Sequence, residues 1–211
     1  MHANFDNLPA EKKMKILQVC VDEFAEHSYK EASTNEIVKK AGISKGILFH
    51  YFGSKKNLYL YILEYAINHF AKALLSELDN LSSDIFDRLI EWSINKIKIS
   101  YENFKIYKII MSAFLDTPID VKVDIEEMST RLFSQLMPKF LEGIDVSRFK
   151  KGIDAQKVMQ IIMISLDGLS NKYINELIKI GAENSLNKME EIVEEIKEYM
   201  EILKYGVYER K

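Results

Sequence analysis

The stretch that decides the fold runs from Thr34 to Phe52 and reads TNEIVKKAGISKGILFHYF. Just ahead of it, Ser33 and Glu36 stand at capping-box spacing, and Gly42 sits where a helix ends on a left-handed residue. This spacing predicts a short helix over 34–41. Ser44 is a good N-cap for a second short helix through about Tyr51, which Gly53 stops, and Ser54 caps a further helix from Lys55. Two short helices joined by a tight Ala41-Gly42-Ile43-Ser44 turn form a helix-turn-helix, whose second helix can enter the DNA major groove. Ile37, Val38, Ala41, Ile43, Leu48 and Phe52 supply its inner packing, which leaves Lys45, Gly46, Ile47, Phe49 and His50 facing outward.

Upstream, Leu17, Cys20, Val21, Phe24 and Ala25 recur at helical spacing and predict an amphipathic helix over 10–27, with Pro9 in its first turn. Cys20 falls on the apolar stripe and reads as a packed thiol. Downstream the chain reads as long helices: 58–78, 85–100, 104–115, and 121–141 with Pro138 kinking or ending it. The stretch 142–153 is a connection, and two helices over 154–180 and 187–207 close the chain. The first of that pair is apolar nearly all round between Val158 and Leu169, which predicts burial on every face. Strand patterns are absent. The expected fold is all-α, a three-helix head followed by a larger helical body, about nine helices in all.

Composition agrees. The 211 residues are 47% hydrophobic and 29% charged, with only 8 Gly and 3 Pro, which excludes a turn-rich β architecture. The single cysteine excludes an internal disulfide framework and suits a reducing, cytoplasmic setting. Neither a membrane-length apolar run nor an export-signal core stands out. The net charge of −3 hides an asymmetry: residues 1–57 carry +2 and residues 58–211 carry −5. Residues 39–57 hold Lys39, Lys40, Lys45, Lys55 and Lys56 and no acid. A basic head on an acidic body points to polyanion contact at one end.

The segment STNEIVKKAGISKGILFHYFGSKKNLY, Ser33 to Tyr59, resembles the TetR family of bacterial transcriptional repressors. The resemblance covers about a quarter of the chain, with the body matched only in length and helix layout. It implies a homodimer in which residues 1–53 form the DNA-binding domain, with the helix-turn-helix at about 33–52. Residues 54–211 would form the ligand-binding and dimerisation domain. Thr34 would contact phosphate at the start of its helix, and Ser44, Lys45 and Gly46 would open the recognition helix on double-stranded operator DNA. His50 and Tyr51 would meet the DNA backbone, and Lys55 would clamp a phosphate. Phe49 stands where the family usually has Tyr, so an apolar contact such as one to a thymine methyl must replace a phenol-to-phosphate hydrogen bond. The four arginines, Arg88, Arg131, Arg148 and Arg210, all lie beyond the head, so bidentate guanine readout by arginine is excluded.

In the body, Trp92, Phe104, Tyr107, Met111, Phe133, Met137 and Met163 belong to a dense aromatic and methionine set that reads as core. With the resemblance, the same set becomes the lining of a pocket for an apolar or aromatic small-molecule effector. Asp167 interrupts the apolar helix and needs a partner: a helix neighbour such as Lys172, a subunit-interface hydrogen bond, or a polar ligand group. The helices at 154–180 and 187–207 are the expected dimer surface. No cofactor is implied, and the four histidines do not cluster with acids at metal-ligand spacing. A helical enzyme or small-molecule carrier without a DNA role is the alternative. It would need a catalytic constellation, and GxSxG, Walker and GxGxxG patterns are all missing.

Overall fold

The computed structural model describes the backbone of residues 3–115 and 117–207. Side chains are described over the same range apart from 3, 167, 170, 171, 174, 175, 178, 179, 181–183 and 207. Among these residues the regular structure is helical, without an extended strand: α1 Ala3–Asp6, α2 Ala10–Glu26, α3 Thr34–Ala41, α4 Lys45–Phe52, α5 Lys55–Leu75, α6 Ile85–Glu102, α7 Phe104–Leu115, α8 Lys122–Leu141 and α9 Ala155–Val207, with a 3-10 turn at Leu78–Asn80. No helix among the described residues is long and apolar enough to cross a membrane.

The chain packs as two compact units, one of residues 1–71 and 103–132, the other of residues 72–102 and 133–211. The first unit is built on α2. Ile16, Leu17, Cys20, Val21, Phe24 and Ala25 are buried along one stripe, against Ile37 and Ala41 of α3 and Leu48 and Phe52 of α4. Three short helices cannot enclose that stripe alone. Leu58, Ile62, Leu63 and Ala66 of α5, Ile106, Ile109 and Ala113 of α7, and Val121 and Ile125 complete the same core. Cys20 is fully buried; desolvation, with a smaller push from the Glu23 charge, raises its thiol to about 12, so it is an inert packing group.

The second unit centres on Ile85, Phe86, Leu89, Phe140, Phe149, Val158, Ile162 and Met200. Its charged residues are unusually deep. Arg88, 7% exposed, donates from Nε to the Ser82 carbonyl at 2.5 Å and from Nη1 to the carbonyls of Phe140 at 2.8 Å and Glu142 at 2.6 Å. Asp84, 5% exposed, accepts from the Phe86 amide at 2.9 Å and from Arg148. Lys204 reaches Asp87 at 2.9 Å. These bonds tie the start of α6 to the end of α8, the loop after it and the end of α9.

Four expectations are corrected. Pro138 does not end its helix, since α8 continues past it to Leu141. A helix absent from the sequence reading, α1, precedes α2. The helices expected at 154–180 and 187–207 follow one another without the intervening non-helical stretch, since helical residues run without a gap over Ala155–Val207. Even so, the element turns back on itself. Lys172 Nζ lies 2.6 Å from Glu195 Oε1, and Lys188 Nζ lies 3.7 Å from Glu176 Oε2. A straight helix would separate such pairs by roughly 35 and 18 Å at 1.5 Å per residue. Both pairs are centred near residue 183, so the reversal falls there and the two arms run antiparallel. The predicted all-round burial of the first arm is also incomplete within the chain: Val158 and Ile162 are buried, whereas Ile161 and Ile164 are exposed.

Candidate nucleic-acid interface

The helix-turn-helix is assembled from local caps. Ser33 Oγ accepts the Glu36 amide at 3.4 Å, Ser44 Oγ accepts the Ile47 amide at 3.2 Å, and Ser54 Oγ accepts the Asn57 amide at 3.1 Å. Gly42 ends α3 at φ +71°, the left-handed geometry the tight turn demands. Its amide donates to the Lys39 carbonyl, and the Ile43 amide to Val38 at 3.1 Å. Ile37 and Leu48 then meet in the core with no exposed surface.

What remains outside is the outer face of α4. Ser44, Lys45, Gly46, Ile47 and His50 are exposed, and Phe49 and Tyr51 are half-buried. Between Glu36 and Glu64 the chain holds no acid, so this face presents Lys45, the amides opening α4 and a broad apolar surface without a competing carboxylate. A helix start of this kind presents amides to a phosphate. Thr34 is half-buried at the first position of α3. Lys55, also half-buried, donates to the Lys30 carbonyl at 3.0 Å and lies over the Tyr29 ring. Lys56 ties to the Asp120 carbonyl at 2.7 Å and to Asp124 at 2.8 Å, inside the same unit.

Two supports of this face escaped the sequence reading. Glu23, 1% exposed on α2, accepts the Ser33 amide at 2.7 Å through Oε1, while Lys40 lies 3.5 Å from Oε2. One carboxylate thus holds both ends of α3 to α2. The only trace in sequence is an acid one turn from Cys20, on the apolar stripe. The second support is α1. Phe5 has no exposed surface and inserts among Tyr51, Phe52 and Tyr61, ring centroids 5.6, 4.8 and 5.5 Å away. Beside it, Asn4 Nδ2 is 3.1 Å from His50 Nε2, and Asp6 accepts from the Tyr61 hydroxyl and from Lys13. A four-residue segment near the chain start therefore backs the outer helix directly.

The body candidates fall in both units. Phe104, Tyr107 and Met111 lie on α7, in the unit that contains the helix-turn-helix: Tyr107 is buried, Met111 half-buried and Phe104 39% exposed. Trp92, Phe133, Met137 and Met163 lie in the other unit. There Trp92 packs on Phe140 at 5.4 Å between centroids and Met137 packs against the core, while Phe133 is 58% exposed. Asp167 lies outside the residues whose side chains are described. Among the described residues no group of three or more metal-ligating side chains forms.

Residues 16–62, which span α2 to the first part of α5, match the family described as bacterial regulatory proteins, tetR family. Across a longer stretch the chain is similar to the HTH-type transcriptional repressor AcnR of Corynebacterium glutamicum, 24% identical over 172 residues that cover 73% of this chain and 90% of that protein. A TetR family transcriptional regulator from Chloroflexus aurantiacus shares the fold at TM-score 0.53 and 25% identity, over 99% of this chain and 98% of that one. FadR from Bacillus subtilis, solved in complex with stearoyl-CoA, shares it at TM-score 0.58 and 16% identity, over 87% and 96%. A capped helix-turn-helix with an acid-free outer face, lying wholly within the matched residues 16–62, identifies a DNA-binding domain of the tetR type in this chain.

Proposed function

We propose that the protein is a repressor that binds operator DNA as a homodimer and is released by an apolar small molecule. The observation that carries the DNA half of this reading is the exposed, acid-free face of α4 with Ser44, Lys45 and Gly46 at its start. In this reading residues 1–53 are the DNA-binding domain and residues 54–211 the effector and dimerisation domain. Thr34, Ser44, His50, Tyr51 and Lys55 hold the DNA backbone, while Lys45, Gly46 and Phe49 meet the groove. Lys55 must exchange the Lys30 carbonyl for a phosphate, a trade favoured by the phosphate's charge. The repressor direction draws support from the similarity to AcnR, a transcriptional repressor.

Dimerisation is supported by what α9 leaves uncovered. Ile161, Ile164, Tyr199, Ile202 and Tyr205 are 54, 72, 38, 68 and 66% exposed, beside a shallow groove lined by Ser165, Gly168, Leu169 and Leu203. An apolar stripe of that extent, with small residues that permit close helix approach, suits a second copy of the same arms. Two heads on such a dimer engage successive major grooves about 34 Å apart, so a small rearrangement changes affinity. A coupling of about 1–3 kcal/mol corresponds to roughly 5- to 150-fold. For the effector, Trp92, Phe133, Met137, Met163 and Asp167 of the second unit are the candidate contacts. The similarity to FadR, which binds stearoyl-CoA, favours a ligand with an apolar chain.

The test is a mobility shift with the DNA upstream of the protein's own gene, titrated against salt. Lys55→Ala should weaken binding to all sequences alike and flatten the log–log salt slope by about one per lost phosphate contact. Lys45→Ala should in addition change sequence preference. Sequence-independent binding by the unmodified protein would overturn the reading. Sedimentation of Ile164→Glu should show loss of a dimer formed by the unmodified chain, and a monomeric unmodified chain at micromolar concentration would refute dimerisation.

A further inference from the structure

Leu89, Trp92 and Lys96 recur on α6 at spacings of three and four and share one face of the helix. Leu89 is buried and Trp92 packs against Phe140, so this face looks into the second core. Contacts at both ends set the register of α6 against the second arm of α9. Lys204 pairs with Asp87 at 2.9 Å near one end, and at the other the Tyr101 hydroxyl donates to Asn187 Oδ1 at 3.2 Å. The two run antiparallel, which puts Lys96 level with residues 192–195, where Ile192 and Val193 are buried. The acids at that level, Glu194 and Glu195, are engaged by Lys197 at 2.5 Å and by Lys172 at 2.6 Å.

Lys96 is half-buried, and among the described residues no hydrogen bond or ion pair to its ammonium is found. Burial alone pushes it below the ordinary lysine range, with no opposing pull from an acid. A cation withdrawn from water without a counter-charge is costly, and such groups concentrate where a ligand completes them. The nearby arginines are not free to share an anion, since Arg88 is spent on three carbonyls and Arg148 on Asp84. One ammonium without a guanidinium fork suits a monoanion better than a phosphate.

We propose that Lys96 anchors the effector by a carboxylate, so that the ligand is an amphipathic monocarboxylate whose apolar part lies along Trp92 and the half-buried Met137 and Met159. This rests on the reading of the body as an effector-binding domain. Trp92 is the chain's single tryptophan and stands one turn from Lys96, so its fluorescence reports the site without reference to DNA. The experiment titrates the full chain at neutral pH with decanoate and dodecanoate, and with the corresponding primary alcohols, below their micelle concentrations. Carboxylates should shift Trp92 emission saturably and bind about tenfold tighter than the alcohols, the strength of one modest ion pair. Lys96→Met should abolish that preference while leaving alcohol binding and helicity unchanged, and Lys96→Arg should retain it. Lys96→Gln serves if the methionine variant fails to fold. Equal binding of acids and alcohols, a preference that survives in Lys96→Met, or no binding of either class would overturn the assignment. Operator binding is measured in parallel. Carboxylates that bind through Lys96 without releasing DNA would sustain this site and defeat the effector reading, whereas release by alcohols alone would do the reverse.

Discussion

Replacing Phe5 by alanine tests whether α1 is part of the DNA-binding machinery or an ornament of the chain start. The ring has no exposed surface and touches three others, two of them on α4. Deleting a buried phenylalanine from a core that cannot collapse costs about 3–5 kcal/mol. Here the loss is capped, because α1 has only four residues and cannot persist alone. Once the ring is gone, the segment should undock and recover about 1–2 kcal/mol of backbone entropy per released residue. The net destabilisation should therefore fall near the bottom of the range, about 2–3 kcal/mol. Undocking also strips cover from Tyr51 and Phe52 and removes the Asn4 contact from His50. Amide exchange should accelerate across α4 while α9 is unchanged, and denaturant unfolding should show the stability loss. Phe5→Leu, which keeps an apolar side chain in the box, should cost about half as much. A Phe5→Ala cost below about 0.5 kcal/mol, within the range of neutral surface changes, together with unaltered exchange in α4, would refute the reasoning.

Gly42→Ala places a Cβ at φ +71° and should destabilise the first unit by about 1–2 kcal/mol through backbone strain, read by thermal unfolding, since the added Cβ would meet only the flexible Lys15 Nζ, at 3.8 Å. Arg88→Met should cost about 3 kcal/mol or more in the second unit because three carbonyls lose their donor; Arg88→Lys should recover only part of this, and calorimetry of both variants decides it. The Lys172 ammonium, the largest influence on Glu195, holds that carboxyl below the usual carboxylate range. Its contribution is then present above the ordinary glutamate value of about 4.3 and is lost as pH falls through the depressed one, so Glu195→Gln should flatten the acid limb of the melting-temperature profile.

The helix-turn-helix was legible in the sequence because the caps that delimit its helices act within three or four residues. Ser33, Ser44 and Ser54 each cap the amide three positions on, and Gly42 closes α3 in the left-handed region the turn requires. Such contacts are set by spacing along the chain and can be read from spacing. The outward set on α4 was legible for the same reason, apart from Phe49, which is half-buried. Two helical stretches at the end of the chain were legible too, whereas their antiparallel course shows only in the pairing of Lys172 with Glu195 and of Lys188 with Glu176. The remaining supports depend on long-range packing. Glu23 is bonded to an amide ten residues away, Asn4 meets a ring 46 residues on, and Arg88 holds carbonyls 52 and 54 residues distant. Lys96 differs from a surface lysine only in what the packing of α6 withholds from it. Contacts of that range leave no periodicity in the chain, because their partners are chosen by which helices the burial of apolar surface brings together.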